Sequence, residues 1–215
     1  VAFQYTFDSA IKTSFTGDDS LTVKIDSGNG VSGNPVDEFD LNNTGDQLKV
    51  DGVAYKFPLG DNLTALVSDG YDGSKIFTTA CAYGGPSNTL DDCGNVNANV
   101  DNAGASAMAE YDFGNGFTAA FGYTGEGSNA DGLMTEEGDD ALAGQIAYSA
   151  DNYGVSFTYA WKENPTFNTA VDDTNVWALN GYYTPDGENL PSISVGYEAA
   201  QSEVPSLTPT ETDSS

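Results

Sequence analysis

The sequence predicts an all-β fold: a transmembrane antiparallel up-and-down β-barrel, with about ten strands carried by this chain. Three observations point there. Apolar and polar residues alternate with period two in run after run. The joints between runs alternate short and long. Aromatic side chains gather at the ends of the runs, while acidic ones fill the long joints.

The alternation is clearest over residues 105–124, read as ASAMAEYDF, GNG, FTAAFGYT. Phe117, Ala119, Phe121 and Tyr123 fall on one side of the second run, with Thr118, Ala120, Gly122 and Thr124 on the other. Side chains alternate across a strand, so one face is apolar and aromatic and the other small or polar. Gly114, Asn115 and Gly116 tolerate positive φ, as a tight hairpin requires.

The same hairpin recurs along residues 1–200, in segments 1–28, 47–69, 105–124, 140–162 and 174–200, with 201–215 as an external loop or unstructured tail. The first run sets Phe3, Tyr5, Phe7, Ile11 and Phe15 on one face, and the second sets Leu21, Val23 and Ile25. Pairing Phe15 with Leu21 would bring Ile11 to Ile25 and Lys12 to Lys24, and keeps both apolar sets together. Parity slips near Asp51-Gly52, which predicts a bulge. Later runs align Leu142, Ile146 and Tyr148; Val155, Phe157, Tyr159 and Trp161; Trp177, Leu179 and Tyr183; and Ile193, Val195 and Tyr197. The short joints are TGDDS, PLGDN, GNG, DNY and PDGENL. A soluble sandwich has no reason to sort loop length by end, whereas an outer-membrane barrel pairs short periplasmic turns with long external loops. Two aromatic belts are expected: Phe15, Phe57, Phe113, Phe117, Tyr153 and Tyr183 beside the short turns, and Tyr123, Trp161, Trp177 and Tyr197 at the opposite ends.

Composition narrows function. The net charge is −27, with 33 acidic residues against six basic ones, all lysine, and no histidine. Nucleic acid is excluded as a partner, because neutralising phosphate needs Lys or Arg clusters. Imidazole metal sites and Ser-His chemistry are absent. No apolar run is long enough for a transmembrane helix. The chain opens inside a strand pattern without a signal peptide, as a trimmed or mature fragment would. Cys81 and Cys93, in TACAYGGPSNTLDDCGN, read as a disulfide formed in an oxidising compartment. It would pin the longest external loop, folded inward as a constriction, and contribute about 3 kcal/mol on the loop-entropy model.

Three segments carry a family resemblance: KTSFTGDDSLTVKIDSGNG (12–30), YKFPLGDNLT (55–64) and YGGPSNTLDDCGN (83–95). In this order they resemble the cyanobacterial outer-membrane porins of the iron-uptake or carbohydrate-selective type, and the cysteine-bearing loop resembles their marine unicellular branch. The resemblance implies the N-terminal part of a longer barrel, preceded by a surface-layer homology domain that would bind peptidoglycan. It implies outer-membrane lipid around the wall, long loops facing the cell exterior, and a homotrimer as one assembly. Relatives are often Arg-rich in the strand after FTG. Here that strand carries Lys24 and Asp26, so an anion preference does not transfer.

The charges expected to face the lumen are Asp8, Lys12, Lys24, Asp26, Glu110 and Asp112. Either they set ion selectivity as a group or they keep the lumen wet. The acidic pieces DGYDG, GEGSNADG and VDDTN offer oxygen ligands for calcium, but none fits an EF-hand. No metal and no cofactor is expected, with calcium in these loops the minority alternative. Asp91-Asp92 and Glu136-Glu137 sit in loops that do not fix two carboxyls for hydrolysis, so no enzyme is expected. The expected function is a porin passing small ions and hydrophilic solutes with a preference for cations; passage of iron is what the family resemblance alone implies. The alternatives are a secreted or cell-surface β-sandwich binding module with acidic, calcium-binding loops, and a structural envelope protein that does not conduct.

Overall fold

The computed structural model describes residues 3–31, 42–71, 73–82, 98, 100, 104–125, 133–134, 139–163, 173–187 and 190–202. Ten strands follow one another: β1 (Thr6–Thr13), β2 (Ser20–Gly28), β3 (Lys49–Pro58), β4 (Leu63–Asp69), β5 (Ala105–Gly114), β6 (Phe117–Gly125), β7 (Asp140–Ser149), β8 (Tyr153–Glu163), β9 (Asp173–Tyr183) and β10 (Ile193–Ser202). They form one sheet in chain order, each antiparallel to the next. β1 and β10 each pair on one side only, so the described sheet is open.

The two faces differ as the alternation predicts. One row runs Ala119, Ile146, Phe157, Leu179, Tyr197 across β6 to β10. Phe121, Phe157 and Ile193 are 52%, 47% and 55% exposed. The opposite row, Gly122, Ala143, Ala160, Val176 and Ala200, lies on the inner face, where Ala143, Ala160 and Val176 are buried.

Residues from both the start and the end of the β4–β5 connection cover that inner face. Phe77, Ala98 and Val100 pack with Ala141, Ala143, Ala160, Val176 and Ala178. Tyr71 and Ile76 pack with Ala54, Leu66 and Met108. Alanine and glycine suit this face because the connection lies with its backbone against the strands. A Cβ on Gly122 would strike the Gly73 carbonyl, and one on Gly73 would strike Thr124 Oγ1.

Turn chemistry follows the sequence at β5–β6. Gly114, Asn115 and Gly116 have φ of 77°, 54° and 86°, and the ladder shifts register beside them. The bulge foreseen at Asp51-Gly52 is present. Lys24 opposes Gly52 and Ile25 opposes Val50, which leaves Asp51 as the extra residue.

Two expectations are corrected. The β1–β2 register is shifted by two residues, which lengthens the turn: Leu21 opposes Thr13 instead of Phe15, Ile11 opposes Val23, Lys12 opposes Thr22, and Lys24 opposes Ala10. The apolar set keeps its side because the shift is even. The cause is Asp19, whose Oδ1 accepts hydrogen bonds from Ser14 Oγ (2.5 Å), Phe15 N (2.9 Å) and Thr16 N (2.8 Å) and so draws Phe15 into the turn. The sorting of joint lengths also levels off at the end. The β8–β9 joint (164–172) and the β9–β10 joint (184–192) are nine residues each. Pro185 and Pro191 have no N–H to extend the β9–β10 ladder, so β10 starts at Ile193.

Candidate functional site

The inner face is the candidate site, and all six charged residues expected to line a lumen lie on it. Thr6, Asp8, Ala10 and Lys12 share the inner parity of β1, opposite Gly28, Asp26, Lys24 and Thr22 of β2. Glu110 opposes Thr64 and Ala120, and Asp112 opposes Thr118. They do not form one ring. Asp8, Lys24 and Asp26 cluster toward the long-loop end. Lys12, Glu110 and Asp112 stand toward the short turns. Asp112 is partly committed to its turn: its Oδ1 accepts from Gly114 N at 2.8 Å.

Several functional neighbours were not singled out from sequence. Asp51, the bulge residue, pairs with Lys24 at 3.8 Å. Lys24 Nζ also lies 4.7 Å from the centre of the Tyr71 ring. Burial, and then the Asp51 carboxylate, push the Tyr71 hydroxyl above its ordinary range, so it stays neutral where the connection leaves β4. Lys56 lies on the inner face opposite Ser20 and Leu66, and its parity with Tyr55 and Phe57 could have placed it there.

The connection is fastened at both ends of its path. Near β5 and β6, Ser106 Oγ donates to Tyr71 O (2.9 Å) and Thr124 Oγ1 to Val100 O (2.8 Å). Thr78 and Thr118 share a hydroxyl hydrogen bond of 3.0 Å. At β10, Ala82 N donates to Ser194 Oγ (2.9 Å) and Ala98 N to Glu198 Oε1 (2.7 Å). The segment thus spans the inner face from β4 to β10. Cys81 lies on this segment, whereas Cys93 falls outside the described residues, as do Asp91-Asp92, Glu136-Glu137 and most of the acidic loop pieces.

On the outer face, rings cluster beside the short turns. Phe15 and Tyr55 are 6.1 Å apart, Tyr55 and Phe57 5.2 Å, Tyr111 and Phe113 4.9 Å, Phe117 and Tyr148 4.6 Å, and Tyr148 and Tyr153 5.7 Å. Tyr183 opposes Tyr153 in the ladder. At the other end Trp177 and Tyr197 lie 5.4 Å apart, and Trp161 opposes Leu142 and Asn175. Tyr123 is a correction to its expected place in the far belt. It has the outer parity but is only 7% exposed, and its hydroxyl donates to Asp140 Oδ1 at 2.6 Å. From Tyr153 to Trp161 the strand covers about 26 Å at the usual rise.

Among the described residues no three carboxylate, cysteine or histidine groups converge as a metal cage. Compared with known proteins, the chain matches no protein-family model and no curated protein.

Proposed function

We propose that the chain forms the wall of an outer-membrane porin, through which small ions and hydrophilic solutes diffuse with a preference for cations. One observation carries this reading: a ten-strand meander whose aromatic face leaves Ile146, Phe157, Leu179 and Val195 exposed among the described residues, while a connection from the long-loop end lies across the opposite face. Lipid is the environment in which an exposed row such as Ile146, Phe157 and Leu179 is stable, and a band about 25 Å tall between aromatic girdles is what a bilayer selects. The β-sandwich alternative needs a second layer on the apolar face. The covering segment lies on the other side, which favours the pore.

In this reading the long loops face the exterior, and the β4–β5 connection narrows the lumen, pinned by a Cys81–Cys93 disulfide. The acidic inner face raises the local cation concentration. The chain folded in detergent should migrate differently on gels before and after heating, and should form channels in planar bilayers. Under a KCl gradient the reversal potential should take the sign of a cation-preferring pore. A protein that stays soluble and monomeric in plain buffer and forms no channels would end the proposal, while channels with an anion-preferring potential would end the selectivity assignment.

A further inference from the structure

We infer that Asp8 and Asp26 hold a hydrated divalent cation between β1 and β2. The two residues are direct partners in the ladder, so both carboxylates stand side by side on the inner face. Like charges in that position destabilise a sheet unless something neutralises them. Asp26 is 9% exposed, and its Oδ1 has no hydrogen-bond partner. A buried carboxylate oxygen left unpaired is costly. Both residues line a cleft of about 360 Å³ together with Lys24, Asn42 and Asp51, large enough for an ion with several waters.

The positive groups nearby do not resolve the charge on Asp26. Lys24 is turned to Asp51 at 3.8 Å and to the Tyr71 ring. Lys49, the β3 partner of Asp26, makes no ion pair with it. Asn42 Nδ2 donates to Asp8 Oδ1 and to Thr6 Oγ1, which fixes the Asp8 carboxylate at the cleft. Three carboxylates and one lysine leave the cleft two charges negative, the complement of a divalent ion. Because no carboxylate trio converges there, the ion keeps part of its water shell, as magnesium does when one or two carboxylates hold it.

The inference stands apart from conduction and is tested without it. The full chain, folded in detergent micelles at high NaCl to screen nonspecific attraction, is titrated with Mg²⁺ and with Ca²⁺ while the carboxyl carbon signals of Asp8 and Asp26 are followed by NMR. A saturable shift of both signals is expected, with half-saturation in the region of 0.1–1 mM typical of extracellular sites. Asp26→Asn should weaken that response by about tenfold or more, given the loss of one of two carboxylates, and should raise the ion-free melting temperature by removing the opposed charge. Asp61→Asn, on the β3–β4 turn, should respond like the wild type. If Asp26→Asn does not fold, Asp8→Asn provides the same comparison. Signals that do not move, or that drift without saturation as the Asp61 signal does, overturn the inference. So does a saturable response that appears only after Lys49→Gln, which would make Lys49 the counter-ion.

Discussion

Asp19 decides more of the local structure than its place in TGDDS suggests. Besides the turn donors, its Oδ2 accepts the Tyr55 hydroxyl at 2.7 Å, which ties the first turn to β3. The Ser14 hydroxyl above all, then Thr16 N and the Tyr55 hydroxyl, hold its carboxyl well below the usual carboxylate range. The sign follows from that direction. A pKa depressed in the fold adds stability at every pH above the ordinary carboxylate range, and the contribution fades as pH falls through and below it. An NMR titration should find Asp19 still ionised at about pH 3, where an unperturbed Asp is mostly protonated. Asp19→Ala should lower the melting temperature at neutral pH and reduce its further loss on acidification.

At the scale of an element, each strand carries two environments, and substitutions on its two faces should differ in kind. Leu179 is 48% exposed near the middle of β9. Leu179→Arg should cost about 2–4 kcal/mol of folding stability in lipid vesicles, as a charge near the bilayer midplane does. The same change on a water-wetted surface stays within about 0.5 kcal/mol, so denaturant unfolding in vesicles distinguishes the two. On the inner face Gly122 touches the backbone of the β4–β5 connection. Gly122→Val should displace that segment, with an overpacking cost of about 1–3 kcal/mol and a higher single-channel conductance. Unchanged conductance would mean that the segment does not set the narrowest point.

Over the whole molecule, the β4–β5 connection is the single covering layer among the described residues. It reaches β10 through Ala82–Ser194 and Ala98–Glu198, contacts separated by 112 and 100 positions in the chain. Reducing a Cys81–Cys93 bond should loosen the part of the connection between these two anchors, and the prediction is a larger or noisier single-channel current after dithiothreitol. A conductance that does not change on reduction counts against the bond as the element that holds the constriction.

Strand order, face parity, the Asp51 bulge and the GNG turn were legible in the sequence because each depends on near neighbours: a period of two, a slip in that period, and residues that accept positive φ. The side assigned to Asp8, Lys12, Lys24, Asp26, Glu110 and Asp112 followed from the same period. The spacing between Ile11 and Val23 did not, because the Asp19 carboxylate chooses how many residues the turn takes. Nor did the burial of Tyr123, whose hydroxyl meets Asp140 of the next strand. Only the tertiary structure could bring Asp51 to Lys24 and Tyr71, and lay Phe77, Ala98 and Val100 over the alanines of β7 to β9. Alternation tells which way a side chain faces, but the partner it meets there is fixed by where a distant segment packs.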